Sequence, residues 1–269
     1  MAPTCTLVVP CFNEAARLDP DLFDALVAAA DARVLAVDDG STDDTAALLD
    51  KLVGSDPERY GVLALGSNRG KGEAVRRGLL AALDAGAELV GYCDADFATP
   101  PDEVARLVAT LRADESIGAV LGSRVALMGS DIRRSPFRHY SGRLFATAGS
   151  LVLGVPVYDT QCGAKVFRVT DALRQALATP FVSRWAFDVE LLGRLMHGPA
   201  GRGRFVELPL RRWREPGGSK LTTRAGIRAA ADLARIHRVL RRRAAGAGPG
   251  GDAPAATSAH RFDEERDRA

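Results

Sequence analysis

Short apolar runs, each closed by polar or glycine-containing turns, alternate with amphipathic stretches through the first part of the chain. Thr6-Leu-Val-Val-Pro-Cys-Phe-Asn-Glu14 begins as a strand, and a helical pattern follows from about Leu22 to Ala30. Val34-Leu-Ala-Val-Asp-Asp39 reads as a second strand. Gly40 supplies the turn after it, and Ser41 or Thr42 is the expected N-cap of a helix near Ala46 to Leu52. A third strand, Val62 to Leu65, precedes Asn68-Arg-Gly-Lys-Gly72 and an amphipathic helix from Glu73 to about Ala85. The fourth strand ends at Asp94. Strands alternating with helices predict an α/β fold, a mostly parallel central sheet with helices on both faces. Strands buried on both faces should read as short apolar runs, and these do.

The candidate chemistry lies where the strands end. Asp94 and Asp96 flank Ala95 at the close of an apolar run. In an extended segment the side chains at i and i+2 point the same way, so both carboxylates are expected to reach toward one point past the strand end. Open α/β sheets bind ligands in that crevice. Two hard oxygen ligands suit Mg²⁺ or Mn²⁺, which complete their shell with water and substrate phosphates. Taken alone, the pair fits an ordinary solvated turn more readily. Lys71, between glycines and ahead of a helix N-terminus, could bind a diphosphate or stand as a solvated lysine. Arg124, after Gly122-Ser123, could add a charge-assisted contact to phosphate.

Composition excludes some classes and leaves an enzyme open. At 269 residues the chain could hold one large α/β unit or two small ones, and the unbroken alternation favours one, spanning 1–243. A net charge of +2 gives no general pull toward nucleic acid; the basic residues cluster locally, at Arg133-Arg134, at Arg211, Arg212 and Arg214, and at Arg238 with Arg241 to Arg243. The four cysteines, Cys5, Cys11, Cys93 and Cys162, lack zinc-type spacing and read as buried free thiols of a reducing compartment. Met1 is not followed by a signal-peptide pattern, so a cytoplasmic location is expected. The longest apolar stretch, near Leu144 to Val157, is too short and glycine-interrupted to span a bilayer. From 244 to 269 the glycine-rich, mixed-charge sequence is expected to be disordered.

Val9-Pro-Cys-Phe-Asn-Glu14, Val37-Asp-Asp-Gly-Ser-Thr-Asp43, Asn68-x-Gly-Lys-Gly72 and Asp94-Ala-Asp96, in this order, resemble glycosyltransferase family 2 with its GT-A nucleotide-sugar fold. Gly122-Ser-Arg124, Asp159 to Phe167, Trp185 to Glu190 and Trp213-Arg-Glu-Pro-Gly-Gly-Ser-Lys220 narrow the resemblance to polyprenyl-phosphate hexose synthases, above all the dolichyl-phosphate β-glucosyltransferase branch. The match runs from about Thr4 to Arg243. The resemblance implies an inverting, metal-dependent transfer of a hexose, with glucose from UDP-glucose favoured over mannose from GDP-mannose. Pro10, Asn13, Glu14 and Asp39 would then meet the base and ribose, with Asp38 bracing the loop. Asp94 and Asp96 would hold the metal, Lys71 and Arg124 the diphosphate, and Gln161 with Lys165 the donor sugar. Trp185 and Phe187 read as core.

Acceptor and mechanism turn on few residues. By the resemblance Arg214 and Lys220, with Ser219 between them, match positions that grip an acceptor phosphate; Arg138 and Arg143, in the 137–153 segment that forms an interfacial acceptor-binding element in the family, are spaced to offer a phosphate-facing edge or stand on a solvated helix face. Asp188 would be the general base for a hydroxyl acceptor. For a polyprenyl phosphate, already ionised, it would orient the sugar or neighbouring arginines. Many such synthases carry C-terminal transmembrane helices, whereas the corresponding stretch here, 222–243, is an amphipathic basic helix. It could lie on an anionic membrane or cap the core, and peripheral membrane contact is the favoured expectation. A soluble enzyme acting on a small hydroxyl acceptor is the alternative, and a non-catalytic sugar-nucleotide sensor comes last.

Overall fold

A computed structural model describes residues 4–197, 204–215 and 223–244; the side chains at 136–139, 223–227 and 244 lie outside that description. The predicted alternation is present: β1 (Cys5–Cys11), α1 (Pro20–Ala30), β2 (Arg33–Asp38), α2 (Thr45–Ser55), β3 (Tyr60–Ala64), α3 (Lys71–Asp84) and β4 (Leu89–Cys93). There follow α4 (Pro101–Ala113), β5 (Ile117–Ser123), β6 (Asp131–Arg133), α5 (Pro136–Leu153), β7 (Ala164–Arg168) and α6 (Asp171–Leu177). The remaining elements are α7 (Phe187–Met196), β8 (Arg204–Pro209), β9 (Arg212–Arg214) and α8 (Thr223–Ala244).

One seven-stranded sheet has the order β3-β2-β1-β4-β7-β5-β8. All neighbouring pairs are parallel except those of β7, which runs antiparallel to both β4 and β5. Alternation along the strands feeds two cores. In β1, Leu7 and Val9 join the α1, α2 and α4 side, while Val8 joins α3, α6 and α7 on the other. Gly78 of α3 lets that helix lie close to the sheet, since a Cβ there would approach Val8 to 2.5 Å. The chain steps outward from β1 through β2 to β3, then returns to place β4 on the opposite flank of β1. Such a reversal opens a crevice at the carboxyl ends of β1 and β4, the usual ligand position in open α/β sheets.

A third core cluster joins α5, α7 and α8. It decides between the two expectations for the C-terminal helix. Leu233, Ile236 and Leu240, the apolar face of α8, are buried within it. These apolar side chains therefore cap the domain, the second of the two expectations for this helix. Burial of three large aliphatic side chains stabilises this docking by about 1.5–3 kcal/mol each before entropic costs. The segment 245–269, expected to be disordered, lies outside the described residues.

Candidate active site

Loops from three strand ends form the crevice, and their polar side chains wire them together. Pro10, which has no N–H to donate, lies beyond the last β1–β4 register pair, Val8↔Tyr92. Asn13 adopts a left-handed backbone, φ 54°. Its amide donates to Ser41 Oγ at 3.0 Å and its Oδ1 accepts from the Thr42 amide at 2.8 Å. Ser41 and Thr42 are thus engaged by β1's loop and do not cap α2, whose N-cap is Asp44. Glu14 pairs with Arg17 at 2.8 Å. Burial raises its pKa, Arg17 opposes the rise, and Asp96 and Asp94 add to it, which places Glu14 among the acidic residues of the crevice.

Asp38 and Asp39 both serve as braces. Asp38 Oδ1 accepts from the Ser41 amide at 2.9 Å. The two oxygens of Asp39 each accept at 2.7 Å, from the amides of Arg69 and Gly70, and the residue is buried. The bracing role expected of Asp38 alone therefore extends to Asp39, whose oxygens are already engaged. Between the loops, Gly40 has φ 73°, and a Cβ there would meet the Ser67 backbone at 2.5 Å.

The metal-type carboxylates are presented by a turn. β4 ends at Cys93, the Phe97 amide donates to the Asp94 carbonyl at 3.1 Å, and Phe97 has φ 46°. Asp94 and Asp96 therefore leave the strand on a tight turn and not by the expected extended alternation; Ala95 between them is buried. Asp96 Oδ1 accepts from the Ala98 amide at 3.0 Å. Burial and the charge of Asp94 raise the Asp96 pKa. Lys71 is the first residue of α3, not part of the loop before it, and its ammonium pairs with Asp94 Oδ1. Burial opposes the Lys71 charge, but Asp94, Asp188 and Asp96 outweigh it and raise its pKa. Gly163 leaves room for Asp94, since a Cβ there would overlap the carboxylate. Two mutually repelling carboxylates, one with a cation already seated on it, fit a divalent metal that takes the rest of its shell from water and phosphate.

Sequence reasoning singled out Asp188 and Lys165 but missed that they pair with each other and with Tyr92 in the interior. Asp188, in the first turn of α7, accepts at Oδ1 from the Tyr92 hydroxyl and from Lys165 Nζ, the latter at 2.6 Å. Lys165 also donates to the Cys162 carbonyl at 2.6 Å. Its side chain is wholly buried, which makes it an internal cation and not the expected sugar contact. The readable signal was a lysine inside the apolar strand Ala164-Lys-Val-Phe: a charge placed there must find a partner. Glu190 is likewise internal, bonded at 2.5 Å to Arg194.

Arg124 forms a bidentate pair with Asp159, 2.6 and 2.8 Å, and lies 5.3 Å from the Trp213 ring. Burial would raise the Asp159 carboxyl, but the Arg124 guanidinium and its hydrogen bonds win and hold it at about 2. The pairing ties Arg124 Nε and Nη2 to Asp159, so the expected phosphate contact is open only to what that pair leaves free. Gln161 follows in the same loop, and its Nε2 is buried with no hydrogen-bond partner among the described residues.

The acceptor candidates divide. Arg214 in β9 is exposed, with its amide donating to Ala98 O at 3.2 Å, next to the Asp96 turn, and its guanidinium 3.9 Å from Asp131. Arg143 is spent locally: it donates to Tyr158 O at 3.0 Å and lies 3.9 Å from that ring. The side chain of Arg138, and all of Ser219 and Lys220, lie outside the described residues. Phe187 is core as expected. Trp185, expected there too, is half exposed and edge-on to Phe145 at 5.3 Å. All four cysteines are free and buried, as expected, and burial pushes the Cys5 thiol up to about 12.

The family model described as glycosyl transferase family 2 matches residues 6–173, the stretch that supplies every loop of this crevice up to Lys165. The chain belongs to glycosyltransferase family 2. This glycosyltransferase is 33% identical over 245 residues to a dolichyl-phosphate beta-glucosyltransferase of Trichomonas vaginalis, covering 86% of the chain and 70% of that relative. It is 36% identical over 246 residues to the enzyme of the same name from Drosophila melanogaster, covering 81% and 69%. The crystal structure of glucosyl-3-phosphoglycerate synthase from Mycobacterium tuberculosis with uridine diphosphate superposes with a TM-score of 0.63 at 21% identity, covering 88% of this chain and 80% of that one. The fold is therefore GT-A, as the motifs imply.

Proposed function

We propose that this glycosyltransferase moves glucose from UDP-glucose to a polyprenyl phosphate with inversion at the anomeric carbon. The observation that carries the acceptor class is the state of Asp188. Its Oδ1 already accepts from both Tyr92 and Lys165, so that oxygen is committed to internal partners and not to the proton of an acceptor hydroxyl. A hydroxyl acceptor needs a base; an ionised phosphate needs only positioning. The names of the relatives support the same sugar and acceptor.

In this reading Pro10, Asn13 and Glu14 border the nucleoside, and the unpartnered Gln161 amide meets the donor sugar. Asp94 and Asp96 hold Mg²⁺ or Mn²⁺, which supplies neutralisation of the charge on the departing nucleotide. Arg214, with Lys220, Ser219 and Arg138, grips the acceptor phosphate. Its oxygen attacks the anomeric carbon from the side opposite the departing diphosphate, and no covalent enzyme intermediate is needed.

The lipid acceptor places the enzyme at a membrane surface. No helix among the described residues is long and apolar enough to cross a membrane. Tyr140, Leu144 and Leu151 are exposed along one face of α5 and are the proposed lipid contact. Mass spectrometry after incubation with UDP-glucose or GDP-mannose, and either a short polyprenyl phosphate or a soluble alcohol, tests the reading. The expected product is the lipid phosphate plus one hexose, from UDP-glucose. A hexosylated alcohol without lipid product would refute the acceptor, and preferential use of GDP-mannose would refute the donor.

A further inference from the structure

We propose that Lys71 is a tethered cation that holds the metal position on Asp94 until the donor diphosphate arrives, so that metal and nucleotide bind this enzyme cooperatively. The inference rests on the metal role proposed for Asp94 and Asp96 and goes beyond it.

The Lys71 ammonium is seated on Asp94 Oδ1, so its charge already lies at the carboxylate that would receive a divalent ion. The pair is not locked in the core: the Lys71 side chain is 37% exposed and that of Asp94 is 32%. A divalent ion on this carboxylate would stand against the lysine's charge unless Lys71 moves off. Of the other carboxylates near it, Asp96 would be taken by the metal as well, and the rest are already engaged. Asp188 is held by Lys165 and Tyr92. Glu73 is held by Arg76 and Arg77 at 2.7 and 2.8 Å. Asp39 is filled by two backbone amides. Glu14 pairs with Arg17. A bare metal ion would therefore strand the lysine beside a second cation.

A nucleoside diphosphate resolves the conflict by bringing new anionic oxygens. Lys71 would exchange Asp94 for phosphate, leaving Asp94 and Asp96 free to hold the metal, whose positive charge would offset that of the diphosphate. The lysine stays charged throughout, so the effect is one of exchange and not of titration. Lys71 begins α3 between two glycines, one of them, Gly70, at φ 94°, and a lysine stem has the freedom to make the move.

The test is Mn²⁺ binding, read from the electron paramagnetic resonance signal of free Mn²⁺, on the full chain at one fixed pH, with and without UDP. Wild type should bind Mn²⁺ weakly alone and more tightly with UDP. Lys71→Met should bind Mn²⁺ alone about tenfold or more tightly than wild type, the equivalent of one charge-assisted contact, and should gain less from UDP. Lys71→Arg should behave like wild type. Lys71 is part-exposed, so the variant is expected to fold, with circular dichroism as the check and Lys71→Ala as the second variant. Equal or weaker Mn²⁺ binding by folded Lys71→Met and Lys71→Ala overturns the proposal. Asp96→Asn separates the two claims: wild-type Mn²⁺ affinity in that variant would instead overturn the metal role on which the proposal stands.

Discussion

Replacing Lys165 by methionine removes a charge from the centre of the site with little change in shape. The Lys165 side chain is 0% exposed and that of Asp188 is 7%, so the carboxylate would be left buried opposite an apolar thioether. Breaking a buried pair from one side costs about 3–5 kcal/mol. The Cys162 carbonyl also loses its 2.6 Å donor, at about 1–3 kcal/mol if no water replaces it. Against a typical total stability of about 5–15 kcal/mol this is a large fraction. At about 2–4 °C per kcal/mol for a domain of this size, the melting temperature should fall by at least about 6 °C. Adding Asp188→Asn removes the stranded charge, while the amide oxygen of the introduced asparagine can still accept from Tyr92. The double variant should therefore recover most of the loss, keeping only the Cys162 part. Thermal and urea melts of the four proteins measure all of this. A double variant as unstable as the sum of the two singles would refute the reasoning, because Lys165 and Asp188 would then be independent.

Further tests follow from the same geometry. Asp96→Asn should cut transfer by orders of magnitude with the melting temperature held, whereas activity within a few-fold of wild type would contradict the metal role. Arg214→Ala should raise acceptor KM with donor binding nearly unchanged, and Asp188→Asn should retain measurable turnover; the reverse pattern in steady-state kinetics would favour a hydroxyl acceptor. Asp159, held at about 2 by Arg124 against an unfolded value of about 3.9, contributes about 2–3 kcal/mol that is present above pH 4 and lost as pH falls toward 2. Acid unfolding of Asp159→Asn should be flatter across that window, and an unchanged slope would count against the pairing. Leu144→Ser with Leu151→Ser should weaken co-sedimentation with anionic vesicles while leaving turnover of a detergent-solubilised acceptor intact; unchanged sedimentation would remove α5 as the lipid contact.

The sheet was legible because its strands are buried on both faces and its helices on one, so residue period alone separates them. Element limits moved by a residue or more where side chains found distant partners. Ser41 and Thr42 carry the composition of an N-cap, yet Asn13, from another loop, takes both of them. Helix α8 shows the same limit. Its arginines and leucines fit a membrane surface or a core equally well in sequence, and only the apolar ground offered by α5 and α7 selects the core.

Within the site, the sequence located the carboxylates without saying what each one does. Asp38, Asp39, Asp94, Asp96, Asp159 and Asp188 all belong to short motifs at strand or helix ends, and all have the same chemistry. Their partners separate them. Backbone amides consume Asp38 and Asp39, Arg124 consumes Asp159, and a buried lysine with a tyrosine holds Asp188. Asp94 and Asp96 differ: Asp96 is raised by burial and by the charge of Asp94, and Asp94 is met by a part-exposed lysine. A carboxylate with its bonds complete resists losing them, whereas a pair left in mutual repulsion gains from any added cation. That difference in residual demand is set by partners as far apart in the chain as Tyr92 and Asp188, 96 residues from one another. It is what sets Asp94 and Asp96 apart from the other four as the candidates to hold a cation.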